Sequence, residues 1–349
     1  MTERHEDPDG DSTRPRLPKI DRFTILEQIA EGGMGVVYRA EQDHPRRVVA
    51  LKLIRPGLFR DEVLKRFQFE AELLARVQHP GIAGIYDAGE AETDAGRQPY
   101  IALEYVEGSP VTEYAEANDL STAARLDLLA RICDAVHHAH QKGIVHRDLK
   151  PGNILVVEPD DDGGNGATPI SQSTDPVGQP KVLDFGVSRL VQEHGVENER
   201  ITQTGFLVGT LAYMSPEQAS GGQDVDTRSD VYSLGVIGFE MLSGRLPHEV
   251  KDLPLIQALR TIQEKAAPRL DSVDRRFRGD VSIIVGKALE SESEQRYGSA
   301  AALADDLRRY LAHQPIGARP PTFTYQLGRF VRRHKALVAF GGVYVACAE

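Results

Sequence analysis

The chain has 349 residues, 40% hydrophobic and 27% charged, which is ordinary globular composition and enough for one large domain or two smaller ones. Its formal net charge of -11 argues against a general nucleic-acid binder, because phosphate contacts need clustered Lys and Arg. Cys133 and Cys347 are the only cysteines and stand far apart, so no disulfide framework or zinc spacing can be built and a reducing compartment is expected.

Residues 1–20 are rich in Asp, Glu, Pro and Gly, lack periodicity, and read as a disordered segment rather than a signal peptide. From Phe23 to Leu53, short β-like runs such as Val36-Val37-Tyr38 and Val48-Val49-Ala50-Leu51 are broken by glycines, which suits an antiparallel sheet. Over residues 61–77, Val63, Leu64, Phe67, Leu73, Leu74 and Val77 fall near one helical face, predicting a helix. A further strand is expected from Tyr100 to Val106, and Gly108-Ser109-Pro110 turns the chain. Beyond it the pattern is mainly helical, as in Leu126 to His140 and Val231 to Leu242. Strands first and helices second predict an α+β architecture of two lobes that meet near residue 107. Residues 158–180 are a polar, Gly/Pro/Asp-rich stretch between two apolar runs and read as a loop insertion.

Three clusters carry chemistry. In Ala30-Glu31-Gly32-Gly33-Met34-Gly35, glycines between strand-like runs let backbone N–H groups approach phosphate oxygens, although a ligand-free hairpin turn would look the same. In Val49-Ala50-Leu51-Lys52, the alternation of a strand directs Lys52 away from Leu51 and Leu53, beneath the glycines. Glu70, on the helix that follows, is expected to hold that ammonium against the α- and β-phosphates of a nucleotide. The third cluster is decisive: Ile144-Val145-His146-Arg147-Asp148-Leu149-Lys150-Pro151-Gly152-Asn153 and Asp184-Phe185-Gly186 set polar groups at loops flanked by apolar strands. Asp148 can accept a hydroxyl proton, while Asn153 and Asp184 offer hard oxygen ligands for Mg²⁺.

These motifs, with Ser215-Pro216-Glu217 after them, follow the order of a eukaryotic-type serine/threonine protein kinase, and the chain resembles the bacterial receptor-like branch over roughly residues 22 to 312. The resemblance implies a bilobal kinase fold: a small antiparallel N-lobe sheet with one helix (21–107) and a larger, mainly helical C-lobe (108–313). It implies ATP and Mg²⁺ as cofactors and a protein substrate with a Ser or Thr acceptor. Asp148 would be the catalytic base, Lys150 would neutralise the transferring phosphoryl group, and Asn153 and Asp184 would hold the metal. The nucleotide would meet Ala30, Gly32, Gly35, Val37, Ala50, Lys52, Glu70 and Leu155, with Leu103 as gatekeeper and Glu104 and Val106 offering backbone hydrogen bonds. Lys150 and the substrate-pocket Thr210 match the serine/threonine class, and Thr202 and Thr204 stand as activation-loop acceptors for a phosphate that Arg147 would clamp. Asp230 resembles the aspartate that braces the catalytic loop, and Arg296 the partner of Glu217. Ala30 departs from the family motif, which has a glycine there. A pseudokinase scaffold and a small-molecule phosphotransferase are the competing classes; the intact Lys52, Asp148, Asn153 and Asp184 speak against the first and Ser215-Pro216-Glu217 against the second.

After the kinase-like core, residues 314–335 carry Arg319, Arg329, Arg332, Arg333 and Lys335, and 336–349 are mostly apolar. A membrane span needs about 20 apolar residues, so the run alone is too short. Two readings stand: a kinase cut inside its transmembrane helix, with the basic flank on the cytoplasmic face, or a C-terminal helix that packs on the domain or frays. The first, which the basic-then-apolar order favours, predicts a cytoplasmic domain tethered to the inner face of the membrane, and the receptor-like resemblance adds an activating homodimer.

Overall fold

The computed structural model describes residues 18, 20–32, 35–55, 71, 74–93, 96–159, 177–185, 211–221 and 225–319. Most of the helix expected over 61–77 lies outside them, as do Glu70, Gly186, Thr202, Thr204, Thr210 and residues 320–349.

The β-branched runs of the first portion pair into one antiparallel sheet, β1 (Phe23–Gly32), β2 (Gly35–Gln42), β3 (Arg47–Ile54), β4 (Ile85–Thr93) and β5 (Gly96–Glu104), in the order β1-β2-β3-β5-β4. One face buries Phe23, Tyr38, Val49, Leu51, Tyr100 and Ala102; the other gathers Ile54, Ile101 and Leu103, with Leu74 and Ile85 packed against them. Gly35 opposite Ile54 has a steric reason to be glycine, since a Cβ there would stand 1.8 Å from the Leu53 carbonyl oxygen. This backbone approach is a role that the phosphate reading of the glycines did not include.

The strand expected to Val106 stops at Glu104, and Tyr105–Gly108 run on as an irregular hinge. A small sheet follows from β6 (Ser109–Pro110), β7 (Ile154–Val157) and β8 (Gln179–Val182), so β8 takes up the last two residues of the stretch expected as loop over 158–180. Helices α1 (Val111–Ala117), α2 (Thr122–Gln141), α3 (Pro216–Ala219), α4 (Thr227–Ser243), α5 (Leu255–Glu264), α6 (Leu270–Val273), α7 (Asp280–Ala288) and α8 (Ala300–Leu311) complete the second lobe.

Ser121 caps α2, its side chain accepting from the Ala124 N–H at 3.2 Å. α4 is apolar nearly all round, buries residues from Ser229 to Leu242, and ends at Gly244, whose φ of 69° is the left-handed conformation that favours glycine. α2, α4, α7 and α8 thus share one core with β7 and β8.

The packed chain runs past the boundary expected at 313. Ile316 is buried, and the Gly317 and Ala318 N–H groups donate to Asp306 at 2.6 and 2.8 Å. A buried carboxylate that accepts two backbone donors fixes the start of the segment expected as a linker. Among the described residues no helix is long and apolar enough to cross a membrane.

Candidate active site

Strand register sets the upper half of the site. Lys52 lies opposite Val37 on β2 and Ile101 on β5, Ala50 lies opposite Leu103, and Ala30 lies opposite Val37. Directly paired residues share a sheet face, so Val37, Ala50, Lys52 and Leu103 point the same way while Val49, Leu51 and Leu53 fill the opposite core. Ala30 is exposed on β1, and Gly32 pairs with Gly35 where β1 and β2 close.

The lower half is a loop braced from beneath. Asp230, buried in α4, accepts from the His146 N–H at 2.8 Å, the Arg147 N–H at 2.9 Å and His140 Nε2 at 2.7 Å. Between those donors and Asp148 the chain takes a left-handed turn at Arg147, φ 68°, which costs energy for a non-glycine residue and persists because the carboxylate holds both N–H groups. The Arg147 carbonyl accepts from Gln218 Nε2 at 2.7 Å, so α3 fixes the same turn from the other side.

Fully buried His146 donates from Nε2 to the Leu183 carbonyl at 2.8 Å and accepts the Asp148 N–H on Nδ1 at 3.3 Å. That geometry fits the tautomer with its proton on Nε2. Phe185 meets the His146 ring edge-on at 4.7 Å. One imidazole therefore joins the Asp148 loop to the Asp184 loop.

Within the loop, Asp148 Oδ2 accepts from Lys150 Nζ at 3.0 Å and from Asn153 Nδ2 at 3.1 Å, and Asn153 Nδ2 also donates to the Asp148 carbonyl at 2.8 Å. A 3₁₀ turn over Pro151–Asn153 makes this reach possible. Asn153 is joined to the next strand by the Leu183 N–H, which donates to its carbonyl at 2.8 Å, placing Asn153 beside Asp184.

The halves meet at Lys52, whose Nζ lies 2.7 Å from Asp184 Oδ2. Asp184 takes a left-handed φ of 57°. Burial pushes its carboxyl up, but the Lys52 ammonium, helped by Lys150, outweighs this and holds it below the usual carboxylate range. The carboxylate is therefore ionised at neutral pH.

The structure thus brings Lys52, Asp148, Lys150, Asn153 and Asp184 into one connected group. Glu104 closes β5 and Val106 lies on the hinge that follows, and Leu155, half-buried on β7, alternates with the buried Ile154 and Val156. The expected Lys52–Glu70 pair cannot be traced, since Glu70 is outside the described residues. Sequence reasoning missed three contacts: Lys52 to Asp184, His146 to Leu183, and a pair between Lys181 Nζ and Glu104 Oε1 at 2.5 Å. The only signal for the last was a lone Lys opening the apolar run into Asp184.

Farther down, Glu217 binds Arg296 in the bidentate manner, with Nη1 and Nη2 donating at 2.7 and 2.8 Å, and accepts from Ser229 Oγ at 2.5 Å. Burial raises the Glu217 carboxyl, yet the Arg296 and Ser229 bonds prevail and bring it down to about 2.

The family model for the protein kinase domain matches residues 23–307. The chain belongs to the protein kinase domain family. Similar kinases include serine/threonine-protein kinase PknB of Mycobacterium leprae, 36% identical over 309 residues, covering 87% of this chain and 45% of that protein. PknB of Mycobacterium tuberculosis H37Rv is 37% identical, covering 84% of this chain and 44% of the relative. PknA of Mycobacterium tuberculosis H37Ra is 35% identical over 89% of this chain and 65% of its own length. The chain spans under half the length of the PknB relatives. The crystal structure of the Mycobacterium tuberculosis PknI kinase domain superposes with a TM-score of 0.58 at 24% identity, covering 83% of this chain and 96% of that one, and shows the same fold.

Proposed function

We propose that this kinase domain transfers the γ-phosphoryl group of ATP to serine or threonine hydroxyls of a protein. The observation that carries the reading is the 2.7 Å contact of Lys52 with Asp184, which joins a cation of the upper sheet to the acidic loop of the lower lobe. In-line phosphoryl transfer needs positioning and charge neutralisation more than covalent help. Val37, Ala50 and Leu103 would cover the base from the sheet and Leu155 would support it from below. Glu104 and Val106 would bond its edge through their backbone. Ala30, Gly32 and Gly35 would approach the phosphates, and Lys52, with Glu70, would grip the α- and β-phosphates.

Asp148 would accept or orient the substrate hydroxyl proton, and Lys150, 3.0 Å away, would offset charge on the transferring group. Asn153 commits its amide nitrogen to Asp148, leaving its oxygen, beside the ionised Asp184, as the second ligand of a hard-cation pair that fits Mg²⁺. Bound there, the metal would supply charge neutralisation at the phosphates. Thr210 would line the acceptor pocket. Autophosphorylation at Thr202, Thr204 or both would bring a phosphate to Arg147.

The test is incubation with labelled ATP, Mg²⁺ and a generic basic protein, followed by phosphosite mapping. Label on serine and threonine, lost with chelator, is expected; no transfer to any hydroxyl overturns the reading. An unmodified loop in fully active protein overturns the role given to Thr202 and Thr204.

The basic 314–335 segment followed by the apolar 336–349 supports a domain tethered at the inner face of the cell membrane. Fractionation that leaves the complete protein away from membranes would contradict this. An activating homodimer accords with the resemblance to receptor-like kinases, and an autophosphorylation rate per molecule independent of concentration would argue against it.

A further inference from the structure

Lys181 opens the apolar run that leads to Asp184, and β-strand membership alone does not account for its contacts. On the β7–β8 pair it stands opposite Leu155, so the two side chains share a face. From there Nζ reaches Glu104 Oε1 at 2.5 Å, 77 residues away at the end of β5. The other carboxylate oxygen of Glu104 accepts the Gly84 N–H at 3.2 Å, and the Glu104 N–H donates to the Gly84 carbonyl at 2.8 Å. Beside this knot, the Ala83 N–H donates to the Val182 carbonyl and the Val182 N–H to the Gly81 carbonyl, both at 2.9 Å. Backbone and carboxylate of Glu104 are thus both anchored, the carboxylate to the strand that leads into Asp184.

Both side chains are mostly withdrawn from solvent, 19% exposed for Lys181 and 26% for Glu104, so screening is weaker than for a surface pair. Glu104 is also the residue whose backbone carbonyl faces the base edge in the nucleotide reading. Adenine presents an amine donor at that edge, whereas guanine presents a carbonyl acceptor. A carbonyl held in one orientation accepts from the first and repels the second; one free to turn loses part of both effects.

We propose that Lys181 is a positioning residue that, through Glu104, fixes the hinge carbonyl and sets the preference for adenine over guanine nucleotides. The proposal rests on the nucleotide reading given above. It is tested by measuring Kd for ATP and for GTP by competition with a fluorescent nucleotide, on the full chain and on Lys181→Met, Glu104→Gln, the double variant and Lys181→Arg. Removing either partner of one charge-assisted bond is expected to raise the ATP Kd by about tenfold. The GTP Kd should change by less than about twofold, because the carbonyl it avoids becomes free to turn. The double variant should lose no more than either single one, and Lys181→Arg should keep the ATP preference.

Equal weakening of both nucleotides would mean that the pair only supports the fold, and would overturn the proposal. So would an unchanged ratio, or losses that add in the double variant. Should Lys181→Met fail to fold, the isosteric Glu104→Gln carries the same expectation and the same power to refute. A wild-type chain that binds neither nucleotide overturns the underlying reading, and is distinguished from a chain that binds both while ignoring Lys181.

Discussion

In the five-stranded sheet Lys52 owes its direction to pairing register, whereas in the loop at 146–153 Asp148 owes its place to one buried carboxylate below it. Register is distributed: Lys52 is flanked by Val37 and Ile101, and no single hydrogen bond decides where it points. The loop is concentrated: Asp230 and His146 hold two left-handed residues, Arg147 and Asp184, that would otherwise relax. The upper region therefore presents a cation from a regular surface, and the lower stores strain where the acids must sit. The difference separates side chains whose removal affects chemistry alone from those whose removal affects the scaffold.

The largest expected effect is at Asp148. Asp148→Asn should lower kcat by roughly 10³-fold, in the range for loss of a general base. Its melting midpoint should be nearly unchanged, since the brace runs through the backbone on either side. A fall of less than tenfold would break the distinction between base and brace. Next comes the scaffold of the lower lobe. Arg296, fully buried, pairs with Glu217, and Arg296→Ala should cost about 3 kcal/mol in urea unfolding by stranding a carboxylate. Stability within 0.5 kcal/mol (about the scatter of a surface change) would show that the pair is dispensable.

Lys52→Met should reduce kcat/KM by about 10²-fold, as expected for one electrostatic donor. It should also move the acid limb of the activity profile to higher pH, because burial would then raise the Asp184 carboxyl with its largest opposing charge gone. An acid limb that stays in place would deny the coupling of Lys52 to Asp184. The smallest effect concerns acid stability. Glu217 titrates at about 2 when folded against an ordinary 4.5, so its contribution is complete above about pH 4.5 and fades as the pH falls towards 2. That window should remove about 2–3 kcal/mol of stability in the wild type, and the slope should flatten in Arg296→Ala. Identical slopes in the two proteins would assign the acid sensitivity elsewhere.

Much of this was readable from spacing. Short β-like apolar runs predicted β2, β3 and β5, and helical patterning predicted α2 and α4, because in both the apolar side chains face a core. Asp148, Asn153 and Asp184 stand out as polar groups inside apolar flanks, and the kinase resemblance points to Asp230 as the brace of the catalytic loop and to Arg296 as the partner of Glu217. The strand over 100–106 ends early at Glu104, where the hinge leaves the sheet, and the packed chain continues past 313 because Asp306 captures the backbone at 317 and 318. Neither boundary has a local signal: each depends on a partner from a different part of the chain.

The sequence by itself determined the two-lobed order, the face on which Lys52 lies and the residue types from which the candidate site is built, since periodicity and residue chemistry are local properties. Tertiary structure alone decided that Lys52 meets Asp184, that His146 ties one loop to the other, and that Lys181 reaches Glu104. Those contacts join residues 37 to 132 positions apart. Long-range pairing follows from how the sheet and the helical core are packed together, and no short stretch of chain records it.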